Sequence, residues 1–375
     1  MLTSFPRWVW PSATALGLTL SACAAEPPST TEPPGLTCDL PKDNLRFVKL
    51  EAAAGYWQGE MFALLSDGRV VFFSDAYPVL DHFAEQSEAT QCTKTLEMEG
   101  VSCGLSYDNR FTIWSNSSLD LSEDPFLGAP PNGLTFVQIG GTNSSVFAVD
   151  SEGGLHAMYQ ATDSFVPVEL PEKVRQLTVD EGACVETVEG NVWCRSTIFD
   201  GGYPFGLGVV SLEEFTKLDL GRPASEFVSA SAASCFLDQS GVTYCAGENG
   251  ASLLGYPAGD LDYRGTYEPV PGLPAFERLF AGFSTICGST AEDEIWCWGT
   301  NQPWIFDPQS GPIFPPKPIG TFPGFQDFAL GNGRTCVLLE DGAVACTYLS
   351  NHPLGCSETD LEGWTIIDFD ECRGL

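Results

Sequence analysis

Four cysteine pairs, each spaced ten residues apart, recur down the C-terminal half of this 375-residue chain. The pairs are Cys184/Cys194, Cys235/Cys245, Cys287/Cys297 and Cys336/Cys346. Six residues after the first cysteine of each pair stand Gly190, Gly241, Asp293 and Gly342. A three-residue hairpin loop with a left-handed residue at that point places the two cysteines directly opposite each other. Opposite residues on antiparallel strands have Cα atoms about 4.5–5.5 Å apart, a separation that permits a disulfide. The spacing therefore predicts four β-hairpins, each with a disulfide across its two strands.

The hairpin pattern extends into the first half of the chain, mostly with apolar residues in the cysteine positions. The seven anchors are Phe62, Cys103, Phe147, Cys184, Cys235, Cys287 and Cys336, spaced 37 to 52 residues apart. A second β-rich stretch precedes each anchor, as in T-F-V-Q-I from Thr135 and E-F-V-S-A from Glu226. Units of about 40–50 residues built from short strands are typical of β-propeller blades. The sequence therefore predicts an all-β, seven-bladed β-propeller with disulfide-bonded hairpins over residues 45–375.

The repeat resembles that of the regulator of chromosome condensation family, which runs loosely G-x-x-x-C/H-x-L-x-x-x-G-x-V-x-C-W-G-x-N followed by L-G. The segment from Ala232 to Gly255 is the closest copy, and I-W-C-W-G-T-N from Ile295 to Asn301 preserves the W-G-x-N turn. The resemblance covers about residues 45–355 and is stronger in the last four units. It implies a seven-bladed propeller. It does not imply one function, because the family includes nuclear exchange factors, signalling modules and a bacterial β-lactamase inhibitor.

The N-terminus has the features of a bacterial lipoprotein precursor. A short apolar run from Trp8 to Leu20 follows Arg7 and ends in L-S-A-C, a pattern that resembles a lipobox. Such a run is too short to span a bilayer, so residues 1–22 are interpreted as a signal peptide and Cys23 as the site of lipid attachment. An ordinary secretory peptide with an incidental cysteine is the alternative. The Pro-rich residues 23–44 are expected to form an extended tether to the cell envelope.

The charge of the chain argues against some partners. Its formal net charge is −33, from 17 basic and 50 acidic residues. Such a surface repels phosphate backbones and anionic membranes, so we expect no nucleic-acid partner and no membrane contact beyond the lipid. Disulfides require an oxidising compartment, which fits an exported, extracytoplasmic protein.

The remaining cysteines leave their pairing open. Once Cys23 and the hairpin cysteines are set aside, Cys38, Cys92, Cys103, Cys356 and Cys372 remain, and an odd number cannot all pair. A Cys92–Cys103 bond is one possible disulfide, and Cys356 and Cys372, which flank an expected ring-closing strand within residues 362–369, are further candidates. Cys38 would then be free or paired with Cys372, and the sequence does not decide between these connectivities.

Motifs for catalysis are absent from the sequence. His82, His156 and His352 lie in unrelated contexts, and His156 is expected to be packed or solvent-facing rather than a ligand. The segment from Ser106 to Trp114 resembles the Asp-box of sialidases but lacks its glycine, so Asp108-Asn109 is interpreted as a hairpin turn. No metalloprotease, nucleophile-elbow or Walker motif occurs. We therefore predict no catalytic residue, no metal site and no cofactor.

Acidic clusters and tryptophans complete the candidate residues. The acidic stretches 120–124, 260–263 and 368–371 lack the spacing that wraps one Ca²⁺ ion, so they are interpreted as solvated loops, although Ca²⁺ binding stays open. Trp193 and Trp296 directly precede a hairpin cysteine, so strand alternation places them opposite the disulfide, between blades. Trp304, in N-Q-P-W-I-F-D-P, is the best candidate for an exposed aromatic residue that binds a partner.

Two functional classes remain at this stage. The first is a monomeric, non-catalytic binding module anchored in the bacterial cell envelope, whose propeller loops contact a protein or glycan partner. The alternative is a propeller enzyme of the lyase or glycosidase type, with a site scattered over several blades. The sequence favours the binding module because it contains no convergent acid–base set. Nucleotide exchange, the best-known activity of the resembling family, does not fit an exported protein.

Overall fold

The computed structural model describes 28 β-strands and many of their connections. The described residues are 47–52, 61–65, 70–73, 93–99, 101–106, 111–115, 126–128, 133–141, 145–159, 164–179, 182–196, 214–230, 233–257, 261–282, 284–300, 313–330, 335–347, 360–361 and 364–367. Side chains are described for 47–50 and, within these ranges, for 133–346 without 196, 313 and 314. The chain divides into two compact units, Met1–Thr37 and Cys38–Leu375, and every described strand belongs to the second. The predicted boundaries at residues 22 and 44 stay predictions.

The strands pair into seven antiparallel sheets that follow one another in chain order. Sheet 1 contains β1 (Phe47–Ala52), β2 (Met61–Leu65) and β3 (Val70–Phe73); sheet 2 contains β4 (Thr93–Glu99), β5 (Val101–Ser106), β6 (Phe111–Ser115) and β7 (Phe126–Gly128); sheet 3 contains β8 (Phe136–Gly141), β9 (Ser145–Asp150), β10 (Leu155–Tyr159) and β11 (Val166–Val168). Sheet 4 contains β12 (Val174–Val179), β13 (Gly182–Thr187), β14 (Val192–Ser196) and β15 (Thr216–Lys217); sheet 5 contains β16 (Glu226–Ala230), β17 (Ala233–Leu237), β18 (Thr243–Glu248) and β19 (Tyr263–Pro269). Sheet 6 contains β20 (Arg278–Gly282), β21 (Thr285–Ser289), β22 (Glu294–Thr300) and β23 (Ile313–Thr321); sheet 7 contains β24 (Phe325–Leu330), β25 (Thr335–Leu339), β26 (Val344–Thr347), β27 (Asp360–Leu361) and β28 (Trp364–Ile367).

The first strand of each sheet, which we call the inner strand, lies beside the inner strand of the next sheet. This contact is repeated along the series β1, β4, β8, β12, β16, β20 and β24, and β24 in turn contacts β1. A hydrogen bond of 3.2 Å from the Leu50 N–H to Asp327 Oδ2 joins the first sheet to the last. Sheets arranged radially around such strands form a β-propeller.

The prediction of an all-β propeller with disulfide-bonded hairpins is confirmed. Five sheets, from β8 onward, are described with their side chains, so five blades rather than the predicted seven can be followed in their packing. Sheets 1 and 2 are described by backbone pairing, apart from the side chains of residues 47–50. Among the described residues there is no helix long and apolar enough to cross a membrane.

The four ten-residue cysteine pairs are disulfides, as predicted. The two cysteines of each pair are directly opposite each other on the second and third strands of a sheet: Cys184 and Cys194 in sheet 4, Cys235 and Cys245 in sheet 5, Cys287 and Cys297 in sheet 6, and Cys336 and Cys346 in sheet 7. All eight side chains are buried. The hairpin register deduced from residue spacing is therefore correct.

The Cα–Cα distance expected within each cysteine pair is too long. The Cα atoms are 4.1 Å apart in Cys184–Cys194, in Cys235–Cys245, in Cys287–Cys297 and in Cys336–Cys346, less than the range of about 4.5–5.5 Å expected for opposite residues. The shorter distance still lets the sulfur atoms bond, because the two side chains leave the sheet on the same face.

Cys346 also connects its hairpin to the outer part of sheet 7. On β26, Cys346 is opposite Cys336 of β25 on one side and opposite Thr365 of β28 on the other. The segment 362–369, which was expected to close the ring, thus contributes β28 to the outer part of the last sheet. In the described strands, the first and last sheets meet through β1 and β24 instead.

The hairpin turns also hold consecutive blades together. Gly190, Gly241 and Gly342 have φ of 78°, 80° and 84°, and Asp293 has φ of 60°, as the left-handed position requires. The Gly241 carbonyl accepts a hydrogen bond of 2.9 Å from the N–H of Phe276, at the start of the next blade, and the Asp293 carbonyl accepts the equivalent bond from Phe322. The turns at Gly190, Gly241 and Asp293 therefore close one hairpin and also bond to the start of the next blade.

Apolar side chains fill the space between adjacent blades. The Cys184–Cys194 disulfide packs forward against Phe227 and Phe236 of sheet 5. Trp193, one residue before Cys194, packs backward against the apolar residues of sheet 3. The same division holds for Cys297 and Trp296 around sheet 6. This confirms the prediction that the two tryptophans lie opposite the disulfides and fill space between blades, because successive strand residues point to opposite faces.

Candidate functional site

Most candidate residues from sequence lie outside the described part of the chain. These are Cys23, Cys38, Cys92, Cys356, Cys372, Trp304, His82, His352, the turn Asp108-Asn109 and most residues of the three acidic stretches. Cys103 lies in β5 with its Cα opposite Ile113, and its side chain is not described. Assignments that depend on these residues stay predictions.

His156 is packed, which is one of the two environments expected for it. It lies in β10, and its Nε2 is 2.8 Å from Asp150 Oδ2. Both side chains are 9% exposed. Asp150 Oδ1 also accepts the N–H groups of Glu152 and Gly154, each at 2.8 Å. Burial raises the pKa of Asp150, but the His156 bond and these amides outweigh it and hold that pKa below its ordinary value. The pair stabilises the turn of its hairpin.

A recurring set of polar side chains, most of them partly buried, lies between the inner strands. An inner strand has a neighbour on one side only, so its other edge carries N–H and C=O groups that the sheet cannot pair. We define one seam residue on each inner strand. It is the residue whose cross-strand partner, on the second strand of the same sheet, lies two positions after the hairpin anchor. Described seam side chains are Lys49, Gln138, Gln176, Glu226, Arg278 and Asp327. A buried apolar residue follows each of them, from Leu50 in sheet 1 to Phe328 in sheet 7.

Gln138 shows what a seam residue does. Its Oε1 accepts the Leu177 N–H at 2.7 Å, and its Nε2 donates to the Arg175 carbonyl at 3.1 Å. Both partners are on the free edge of β12, in the next blade. An amide has both a donor and an acceptor, so Gln138 satisfies both backbone groups at once.

Between sheets 4 and 5, two charged side chains together satisfy a backbone donor and acceptor equivalent to those that Gln138 satisfies alone between sheets 3 and 4. The Arg175 guanidinium donates to the Ser225 carbonyl at 2.8 Å and to Glu186 Oε2 at 2.6 Å. Glu186, the cross-strand partner of Gln176, lies close enough to the Phe227 N–H for that amide to favour its charged form. The pair thus supplies donor and acceptor separately.

The next seams use single-function groups. Glu226 Oε2 accepts the Leu279 N–H of sheet 6 at 2.5 Å. Arg278 can only donate, and it donates to the Gln326 carbonyl of sheet 7 at 2.7 Å. The Phe328 N–H, which Arg278 cannot accept, bonds instead to Asp327 Oδ1 at 3.0 Å. Asp327 then accepts the Leu50 N–H of sheet 1. The partners of each seam residue therefore follow from its own donors and acceptors.

Burial raises the pKa of two glutamates in this layer, Glu186 of β13 and the seam residue Glu226. The side chain of Glu186 is 1% exposed, and burial raises its pKa despite the partly exposed Arg175 beside it. Burial also raises the pKa of Glu226 to about 7; the Leu279 amide and Arg278 counteract the rise, and the nearby charge of Glu186 adds to it. The charges that act on Glu226 are thus the guanidinium groups of Arg175 and Arg278 and the carboxyl group of Glu186.

The chemistry of this layer is that of a structural network. Glu226 has a pKa suited to proton transfer, but one of its oxygens is engaged with a backbone amide. Within the described ranges, no group of three or more His, Cys, Asp or Glu side chains could hold a metal ion. Five described side chains of this layer bond to the backbone of the neighbouring blade: Gln138, Arg175, Glu226, Arg278 and Asp327. The layer stabilises the propeller, and its described side chains include no arrangement typical of a nucleophile with its base.

The sequence contained a signal for this layer that motif searches do not use. A polar residue directly precedes the buried apolar residue in V-K-L, V-Q-I, E-R-L and Q-D-F. The residue type varies from amide to acid to guanidinium, so no residue repeat is visible. The pattern becomes clear only when the hairpin register aligns the inner strands.

Solved structures with the same architecture define the class of this protein as a β-propeller. Prp20p of Saccharomyces cerevisiae, the yeast RCC1, is 15% identical, with a TM-score of 0.60 over 88% of this chain and 87% of that one. The same yeast RCC1 bound to Kap60 gives 13% identity and a TM-score of 0.59 over 81% of this chain and 78% of that one. The CRINKLY ectodomain of the Arabidopsis thaliana receptor kinase ACR4 gives 15% identity and a TM-score of 0.52, covering 82% and 99%. At such identities the likeness shows the fold alone.

No protein-family model and no curated protein sequence matches the chain.

Proposed function

We propose that this protein is an extracytoplasmic, non-catalytic binding module of the bacterial cell envelope, with the β-propeller fold of the regulator of chromosome condensation repeat family. The observation that supports this proposal is that, in sheets 4 to 7, the connections between the second and third strands of a blade are short, whereas those between the third and fourth strands are long. At one end, the second and third strands of a blade are joined by short turns such as 188–191 and 290–293. These turns are bonded to the following blade and have little freedom to change.

The longest connections of sheets 4 to 7 lie at the opposite end. Because consecutive strands are antiparallel, the links from third to fourth strand all leave from that end. They comprise residues 197–215, 249–262, 301–312 and 348–359 in sheets 4 to 7. Connections of this kind vary in sequence without disturbing the strands, and they are where propellers and other rigid scaffolds carry their binding residues. We call this end the long-connection end.

The neighbouring structures support a protein partner in a general way. One of the yeast structures is of RCC1 bound to Kap60, and the other was studied together with the binding of Prp20p to Gsp1p and histones. For this chain a protein or glycan partner, a monomeric state and the absence of a nucleic-acid partner are proposals. The net charge of −33 supports the last of these.

Binding is tested by screening the purified protein against a glycan array and against envelope proteins by proximity labelling. A genuine partner should bind Trp304→Ala more weakly, while the thermal midpoint changes little. Val188→Ala is the matched control, because Val188 is 61% exposed on a short turn at the opposite end of sheet 4. Equal loss of binding in both variants, or a large fall in the midpoint for Trp304→Ala, would contradict a binding role for Trp304.

Envelope anchoring is tested separately. Cys23→Ala should release the protein from membrane fractions, because lipid would no longer be attached. Retention of the variant in the membrane would contradict the lipobox assignment.

The alternative, a propeller enzyme, has one supporting observation, which is the raised pKa of the seam carboxyl Glu226. It predicts turnover of a carbohydrate or peptide substrate that Glu226→Gln abolishes. Turnover that survives this substitution would separate the activity from the seam layer.

A further inference from the structure

Glu226 occupies a position that an amide fills elsewhere in the same molecule. Gln138 and Glu226 are equivalent by register, since each is opposite the second residue after its hairpin anchor, Val149 and Leu237. Both accept the N–H of the buried residue on the next inner strand, Leu177 and Leu279. Glutamate and glutamine have the same shape, so the second terminal atom of Glu226 corresponds to Nε2 of Gln138.

That second atom determines which protonation state fits. In sheet 4, the carbonyl two residues before Leu177 accepts the Gln138 amide, and the equivalent carbonyls of Ser225 and Gln326 accept Arg175 and Arg278. The carbonyl at this position in sheet 6 belongs to Glu277. At these three seams the carbonyl meets a donor. A carboxylate oxygen would instead meet it as a second acceptor, whereas a carboxylic acid O–H would donate to it.

We propose that Glu226 is a carboxylic acid in the folded protein, donating its proton to the Glu277 carbonyl, and that this seam is a pH-sensitive joint between sheets 5 and 6. The proton is bound reversibly from solvent, and no other group changes. Charged groups on three elements face Glu226: Arg175 of β12, Glu186 of β13 and Arg278 of β20. The two guanidinium groups favour the carboxylate, whereas Glu186 and burial favour the acid.

The direction of the pH effect follows from the proton balance. In the unfolded chain a glutamate has a pKa of about 4.3. In the folded protein the pKa of Glu226 is raised to about 7. Between these values the folded state binds the extra proton, so the folded state loses stability as the pH rises through this window. One proton of difference changes the unfolding equilibrium constant by about tenfold per pH unit.

The test is urea unfolding of the full chain between pH 5 and 8, for wild type and Glu226→Gln. The glutamine should fold, as Gln138 does in the equivalent position. Between pH 5 and about 7 the unfolding constant of Glu226→Gln should rise with pH less steeply than that of wild type, by up to about tenfold per unit, and above this window the two slopes should agree. Glu189→Gln, on the exposed turn of sheet 4, should retain the wild-type slope. Equal slopes for wild type and Glu226→Gln, or failure of Glu226→Gln to fold, would overturn the proposal.

Two further measurements separate protonation from a merely structural role. The infrared band of a protonated carboxyl group should be present in the folded wild type at pH 6 and reduced in Glu226→Gln. The reverse substitution, Gln138→Glu, should introduce a new pH-dependent loss of stability between sheets 3 and 4. Absence of the infrared difference, or a Gln138→Glu variant with the wild-type slope, would contradict the model of an acid held at the seam.

Discussion

Removal of the Asp327 side chain should open the junction between the first and last sheets. Asp327 accepts the Leu50 N–H at 3.2 Å and the Phe328 N–H at 3.0 Å, and it lies 3.4 Å from the Arg278 guanidinium. Its side chain is 17% exposed, so its loss leaves partly buried backbone donors without this acceptor. Hydrogen bonds to charged groups contribute about 1.5–3 kcal/mol, and the Arg278 contact is discounted because that side chain is 45% exposed. We expect Asp327→Ala to lower the free energy of unfolding by about 2–3 kcal/mol.

The control for this experiment is the adjacent residue. Gln326 is exposed, and of its groups the backbone carbonyl is what Arg278 contacts, so Gln326→Ala should cost less than about 0.5 kcal/mol. Urea unfolding followed by circular dichroism gives both values. Amide hydrogen exchange should show faster exchange in β1 and β24 of Asp327→Ala, with β16 and β17 unchanged. If the two variants unfold at the same urea concentration, or if exchange rises equally in all sheets, Asp327 does not hold this junction.

Three further substitutions test the blades themselves. Replacement of both Cys235 and Cys245 by Ala should lower the free energy of unfolding by about 2.7 kcal/mol, from the chain-entropy relation for a loop of this size. Urea unfolding against wild type under non-reducing conditions measures this, and an unchanged free energy would contradict the contribution assigned to the disulfide. Gly241→Ala should destabilise the protein more than Gly272→Ala. The two glycines have similar φ of 80° and 77°, but an added Cβ would lie 2.5 Å from the Phe276 carbonyl oxygen at Gly241 and would meet nothing within 4 Å at Gly272. Equal thermal midpoints for the two variants would contradict this. Trp298→Phe should cost about 1–3 kcal/mol in urea unfolding, because the fully buried indole donates to the Leu253 carbonyl at 2.9 Å and that acceptor would be left unpaired; a loss below about 0.5 kcal/mol would show that the bond contributes little.

Prediction of the fold from sequence succeeded where spacing dictates geometry. The interval between Cys235 and Cys245, with Gly241 inside it, permits one hairpin register, and the structure has that register. The backward packing of Trp193 follows from strand alternation in the same way. These features depend on contacts within one hairpin or on a period of two, which a single sequence can reveal.

The seam residues were not predictable in the same way. Gln138, Glu226, Arg278 and Asp327 serve equivalent positions with different chemistry. Their partners on the neighbouring blade lie 37 to 277 residues away along the chain. Their task is to satisfy the free edge of the next inner strand. A hydrogen-bonding requirement can be met by an amide, a carboxyl group or a guanidinium, so it leaves no repeated letter in the sequence.

This freedom also explains how the chain keeps a propeller fold at 13–15% identity to the yeast and plant structures. Three requirements recur in the described blades: a buried pair at the hairpin anchors, a left-handed turn residue and a polar side chain at the seam. Each can be met by several residue types, as Phe147 and Ala157 replace the disulfide in sheet 3 and Asp293 replaces glycine in sheet 6. The architecture therefore constrains classes of residues rather than identities. If the proposed binding function is correct, recognition depends on residues that these requirements leave free, which directs the search for a partner to the long-connection end.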